Sequence, residues 1–130
     1  MTLINSKKKK KISKIKFFSI LFNNPFVKGI VLRLLIVTPK KPNSARRPVA
    51  KIKLINNFEC LSHIPGIGHN LRKHCLVLVK KKGARDLPGV NFTCVRGVFD
   101  FLGIQNRTKR KSIFGTKKND KKIRKKFRQK

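Results

Sequence analysis

The sequence predicts an all-β fold, five short strands closed into a small barrel with extended basic tails at both ends. Three observations carry this prediction. Five apolar or alternating segments of five to nine residues recur between turn residues. The charge is segregated: residues 1–16 hold seven Lys and no acid, and residues 104–130 hold thirteen Lys and Arg against Asp120 alone. Most of the apolar residues fall between, in 17–103, where fifteen basic and three acidic side chains are found. The expected organisation is a basic extension over 1–22, a core over 23–103 and a second basic extension over 104–130. A core of roughly eighty residues can bury enough apolar surface to fold, but only marginally. The extensions cannot, and are expected to order on a partner.

Taken in order, residues 29–37 read GIVLRLLIV, almost wholly apolar and rich in β-branched residues. Pattern alone does not separate a buried strand from a short buried helix there, and the composition favours a strand. Residues 49–55, VAKIKLI, alternate: Ala50, Ile52 and Leu54 face one way, Lys51 and Lys53 the other. Asn56-Asn57 marks a turn, and FECLSHI at 58–64 is the third strand. Pro65-Gly66-Ile67-Gly68 breaks it, and HNLRKH at 69–74 is expected to form a short helix. CLVLV at 75–79 is a buried fourth strand, and VNFTCVR at 90–96 the fifth, with Val90, Phe92 and Cys94 on one face. VFDFLG at 98–103 closes the core, with Phe92, Phe99 and Phe101 inside it. Five strands with a short helix between the third and fourth is the order of an OB-fold, a barrel that commonly binds nucleic acid.

The composition narrows the function. The 130 residues carry 35 Lys and Arg against 4 Asp and Glu, a formal charge of +31. Self-repulsion at that density opposes a compact state. A polyanionic partner relieves it, and each phosphate neutralised releases counterions. The longest uncharged apolar stretch, FFSILFNNPFV at 17–27, is eleven residues interrupted by Asn-Asn-Pro. It is far short of the ~20 residues a membrane-spanning helix needs. Lys7–Lys11 before it resembles the charged start of a signal peptide, but no small-residue cleavage site follows. Neither is an Arg-rich, Ser-rich presequence read in the chain. The three cysteines, Cys60, Cys75 and Cys94, form no CxxC, which argues for a reducing compartment and against a disulfide framework. His63, His69, His74 and Cys75 match no standard zinc spacing, and buried thiols on strands explain the cysteines better. The acids form no local pair and no nucleophile has a recognisable base, so no catalytic set and no cofactor site is read.

Two loops stand out. TPKKPNSARRP at 38–48 sets Asn43 and Ser44 among prolines and charges. Pro39 and Pro42 fix their own φ and restrict the residues before them, so the tip is ordered before it meets a partner. Lys40, Lys41, Arg46 and Arg47 can neutralise phosphates around it. Asn43 and Ser44 are short, can donate and accept, and suit the shallow minor groove and ribose hydroxyls of an RNA helix. KKKGARDLPG at 80–89 is the second basic loop. There Asp86 has three open readings: a cap on the Leu-Pro-Gly turn, a pair with Arg85, or an RNA-site residue. Gly66 and Gly68 make only a lone GxG, read as a tight turn.

TPKKPNSA (38–45), IPGIGHNL (64–71), DLPGV (86–90), VRG (95–97) and FGTKK (114–118) occur together and in this order. Over about residues 23–118 the chain resembles the small-subunit ribosomal protein S-twelve family, in its bacterial and organellar form. The KKPNSA sequence differs from the QPNSA of the eukaryotic cytosolic form. The resemblance implies an OB-fold at the decoding centre, with an N-terminal extension threaded through the subunit. It implies that Pro42, Asn43 and Ser44 form a tip that monitors the codon–anticodon helix of mRNA and tRNA. Lys40 and Lys41 would be adjoining rRNA contacts, Lys40 at a position linked to streptomycin response. Arg46 and Arg47 flank the same loop. Arg85, Asp86, Pro88 and Gly89 would approach the same site, Asp86 at the position of an aspartate that some bacteria methylthiolate. The implied partners are small-subunit rRNA and neighbouring ribosomal proteins, with no membrane and no small-molecule substrate. The chain departs from the family pattern at Lys81-Lys82, where a glycine pair is usual, at Arg85 for Lys, Arg46 for Leu and Pro48 for Lys. Heavy use of Lys, Ile, Asn and Phe without Trp points to an AT-rich organelle genome. The expected location is the mitochondrial ribosome, encoded in the organelle, ahead of a plastid or a bacterial cytoplasm.

Overall fold

The computed structural model describes residues 24–117, so the segments 1–23 and 118–130, with the tails expected there, lie outside it. Five strands form: β1 (Phe26–Val37), β2 (Arg47–Leu54), β3 (Glu59–His63), β4 (Leu76–Lys80) and β5 (Phe92–Val95). They close a barrel in the order β1-β2-β3-β5-β4, with β4 returning to β1. β3 and β5 run parallel and every other pair is antiparallel. β1 starts at Phe26, three residues earlier than the apolar run suggests, because Phe26, Val27 and Lys28 pair with Lys80, Val79 and Leu78.

Closure rests on β1. Its first part pairs with β4 over 26–30, and from Gly29 onward it pairs with β2. A bulge between Val31 and Arg33 breaks the register with β2, and such an extra residue adds the bend that lets one strand serve two neighbours. The barrel interior is filled from all five strands, with Val31, Ile52, Val77, Val79 and Cys94 at 0 or 1% exposure. Full burial of each aliphatic side chain contributes roughly 1.5–3 kcal/mol. The thiols of Cys60 and Cys94 lie in this interior. Burial pushes Cys60 up to about 12 and Cys94 up to about 11, so both stay protonated.

The helix expected over 69–74 does not form, and the described residues contain no helix at all. The backbone of this segment is used elsewhere. His74 takes a positive φ of 69° and donates to the Val31 carbonyl at 2.8 Å, while the Cys75 carbonyl accepts from Val31 N–H at 3.0 Å. The chain is thereby drawn onto β1 just ahead of β4. Asn70 adds a bridge, giving its amide to the Asp100 carbonyl and taking the Leu102 N–H. A six-residue segment supplies too few internal bonds to outweigh these, and its Leu71 is drawn into the core.

Arg96 ties the remaining motifs together. It is 5% exposed and lies 4.5 Å over the Phe101 ring. Its guanidinium donates to the carbonyls of Pro65, Gly68 and Leu102, so the PGIG and VRG motifs are bonded to each other. Phe101 is fully buried as expected, but Phe99 is 43% exposed, at a positive φ of 53°, beneath the Lys28 ammonium. Residues 104–117 fold back on this region: Ile104 N–H donates to the Phe114 carbonyl at 2.9 Å and the Thr116 hydroxyl to the Ile104 carbonyl at 2.6 Å. Gly115 packs on the Arg96–Gly97 backbone, where a Cβ would stand 2.8 Å from the Arg96 carbonyl carbon. A side chain at Gly103 would collide with the Gly115 carbonyl. Gly103→Ala is therefore expected to destabilise the fold by about 1–3 kcal/mol and to expose 104–117 to limited proteolysis. Unchanged urea stability and cleavage would contradict this packing.

Candidate nucleic-acid interface

The two loops marked in the sequence lie side by side at one end of the barrel. The first, 38–46, joins β1 to β2, and the second, 81–91, joins β4 to β5. Pro39 is buried and anchors the first loop, while every residue from Lys40 to Arg46 is exposed. The Lys40 carbonyl accepts from Asn43 N–H at 3.0 Å, closing a four-residue turn with a cis Lys41–Pro42 peptide inside it. Asn43 and Ser44 thus project from a hydrogen-bonded tip with Lys40, Lys41 and Arg46 around them.

Asp86 joins the loops twice. Its carbonyl accepts the Lys40 N–H at 2.9 Å, and its carboxylate meets Arg47 Nε at 2.7 Å. Of the three readings open in the sequence, the structure supports a pair, but with Arg47 rather than Arg85. Arg47 is half-buried in that pair, whereas Arg85, Pro88 and Gly89 are exposed. The ion pair therefore holds loop against loop, and Lys40, Lys41, Arg46 and Arg85 present the exposed charge.

A small second core carries the loops. Val49, Leu87 and Val90 are buried together, with Val37, Leu61 and Ala84 against them. Cross-strand partners share a face, so pairing of Val49 with Leu35 and of Leu61 with Lys51 puts these side chains on the outside of the barrel wall. The second loop lies over them. Its stem is held by Leu87 N–H to the Ala84 carbonyl and by the Thr93 hydroxyl to the Lys82 carbonyl. At Gly83 the strand of backbone around Val90 comes too close for any Cβ.

His63, beneath the Arg47–Asp86 pair, was not marked as a site residue. It pairs with Val49 across β2 and β3. Burial, and then the Arg47 guanidinium, hold its pKa below the usual imidazole value. The fifth strand starts at Phe92, so Val90, expected on it beside Phe92 and Cys94, lies in the second loop and packs in the outer core. Sequence reading also missed the platform residues Val37, Val49 and Leu61, because each looks like an ordinary position of its own strand. Only the register across β1, β2 and β3 brings them under one loop. Among the described residues no group of three or more His, Cys, Asp or Glu could hold a metal ion.

Comparison with known proteins agrees with the motif order. The family model described as Ribosomal protein S12/S23 matches residues 13–125. The chain is also 60% identical over 107 residues to the small ribosomal subunit protein uS12m of Paramecium tetraurelia, covering 80% of this chain and 77% of the relative.

Two outcomes follow from the geometry. In a double-mutant cycle of Arg47→Met and Asp86→Asn, urea unfolding should give a coupling of about 0.5–1 kcal/mol, kept small by the solvent that reaches Arg47. Strictly additive single effects would mean that the pair contributes nothing to loop placement. The lowered pKa of His63 means that the unfolded chain takes up its proton at a higher pH than the folded one. The stabilisation is complete above the ordinary value of about 6.5 and is lost as pH falls below it. The melting temperature should thus drop more between pH 7.5 and about 5.5 in the natural chain than in His63→Gln. An equal drop in both would refute the assignment.

Proposed function

The chain belongs to the ribosomal protein S12/S23 family, and from that membership we propose that it binds small-subunit rRNA at the decoding centre and supports accurate codon–anticodon recognition. It is a ribosomal protein of the small subunit and not an enzyme. The match to uS12m supports the mitochondrial ribosome as its place of work, with rRNA and other ribosomal proteins as partners. We read the organelle genome as its source. The closed barrel with strand order β1-β2-β3-β5-β4 and a parallel β3–β5 contact is read as an OB-fold.

The observation that carries the decoding reading is the double attachment of Asp86 to the first loop, at Lys40 N–H and at Arg47. Monitoring an RNA helix by shape requires a tip that does not yield when the helix is wrong. The turn at Lys40–Asn43, the buried Pro39 and the Asp86 bonds supply that stiffness from within the chain. Pro42, Asn43 and Ser44 are then the contacts to the codon–anticodon helix. Lys40, Lys41, Arg46, Arg85, Pro88 and Gly89 face rRNA, while Arg47 and Asp86 support them from behind. Correct pairing fits the preformed tip; a mismatch displaces phosphates or ribose hydroxyls from groups that are already fixed, and the contact is lost.

Ser44 is exposed and no described hydrogen bond depends on it. Ser44→Leu is therefore expected to change misreading at near-cognate codons while the variant still enters small subunits in full amount. Normal error rates in ribosomes that carry the variant would refute the decoding role. Loss of the protein from the subunit, with decoding normal where it remains, would reduce Ser44 to an assembly residue.

A further inference from the structure

The surface between the first half of β1, the β2–β3 turn and the start of β4 has a different chemistry. Phe26 and Ile30 point outward from β1, at 50 and 43% exposure, and Ile55, just past β2, is 78% exposed. Ile30 lies between Lys53 on β2 and Leu76 on β4 in the register of the sheet. Together Ile30, Ile55, Leu76 and Asn57 line an open groove of about 400 Å³, flanked by Lys28 and Lys53. Lys28 lies with its ammonium 5.1 Å from the centre of the exposed Phe99 ring. An aliphatic floor with ammonium groups on its flanks is unlike the loop end, where the tip is polar and the core lies beneath it.

The chemistry of the groove selects among occupants. A second copy would bring another +31 charge to a surface that is already cationic. RNA would meet the two lysines through its phosphates but leave Ile30, Ile55 and Leu76 uncovered, since bases stack on aromatic faces rather than on aliphatic side chains. The apolar stretch of this chain at 17–22, FFSILF, could cover the floor but has no carboxylate for Lys28 and Lys53. A polypeptide with a Leu, Ile or Val anchor beside Asp or Glu satisfies both parts of the surface. The anchor fills the space between Ile30, Ile55 and Leu76, and the carboxylates meet the lysines at the polar rim, as in protein–protein interfaces generally.

We propose that the Ile30–Ile55–Leu76 groove is a protein-docking site, which takes an acidic, aliphatic segment of a neighbouring small-subunit protein. This rests on the reading that the chain is built into the small subunit, and it assigns that assembly a protein-facing surface separate from the RNA-facing loops.

The test uses purified small subunits that contain the full chain with a photoreactive benzophenone residue in place of Ile55. That side chain is exposed, so its replacement leaves the barrel interior intact. Ultraviolet irradiation is expected to join it to another polypeptide, at a peptide in which mass spectrometry finds an aliphatic residue next to Asp or Glu. Crosslinking to rRNA, to residues 17–22 of the same chain, or to nothing would overturn the proposal. In a second arm, Lys53→Glu reverses the flanking charge. The captured neighbour should then fall several-fold in the subunits while the amount of this chain is unchanged; an unchanged neighbour would count against the docking site. Absence of the chain from small subunits would defeat both this inference and the ribosomal reading, whereas an RNA crosslink defeats this inference alone.

Discussion

Val49 and Ala50 are adjacent on β2 and both are fully buried. Neighbouring residues of a strand point to opposite faces, so β2 must be covered on both sides at this point. Ala50 faces the barrel interior with Ile52 and Leu54. Val49 faces outward, where Leu87 and Val90 of the second loop are buried with it and Val37 and Leu61 pack against them. This two-sided burial is the constraint on which the loop end depends. The second loop is placed by an apolar contact with the wall of the barrel, and the first is then fastened to the second through Asp86. Neither loop is positioned by its own sequence alone.

The few acids are spent on structure. Of the three in the described residues, Asp86 links the loops, and Asp100 accepts the Leu76 N–H at 2.7 Å at the start of β4. Glu59 meets Lys51 at 2.6 Å across β2 and β3. The Lys51 ammonium, through its hydrogen bond and charge, keeps Glu59 below the usual carboxylate range. With the acids engaged inside the fold, the excess of positive charge is left to solvent or to a polyanion. The guanidinium of Arg96 is buried among carbonyls instead, so it fixes the chain path and offers no charge to a partner. Basic composition therefore overstates the number of cations open to a partner: Arg47 and Arg96 serve the fold, whereas Lys40, Lys41, Arg46 and Arg85 are among the exposed cations of the loops.

The sequence made the strands legible because their alternation is a local property. Ala50, Ile52 and Leu54 fall inside, and Lys53 outside, as their spacing requires. The stiff loop was legible for the same reason, since proline acts on its own and the preceding residue. What depended on distant partners was not. HNLRKH has nothing against a helical turn until its end is bonded to Val31, some forty residues earlier in the chain. Phe99 looks like a core residue until its positive φ turns it outward. Asp86 lies beside Arg85 in sequence, yet its ion partner is Arg47, on a strand that the alternation reading begins two residues later. The platform under the loops was hidden for the same reason, because Val49 on its own is one more residue of a strand.

β1 connects the two surfaces. Its Val37 end leads into the first loop and lies against the platform, and its residues Lys28, Gly29 and Ile30 line the apolar groove. From Ile30 to Val37 the strand spans at most about 25 Å, so one element reaches from the groove to the first loop. The bulge between Val31 and Arg33 lies between them, where β1 leaves β4 and continues with β2 alone. Before the bulge the strand is paired on both edges over Gly29 and Ile30. Beyond it, one edge is held by β2, and the loop end gains its remaining rigidity from the outer core and from Asp86. The tip is thus supported by interactions chosen for it rather than by the closure of the barrel, which is why an ion pair and three apolar side chains outside the barrel can control a loop that the main core does not touch.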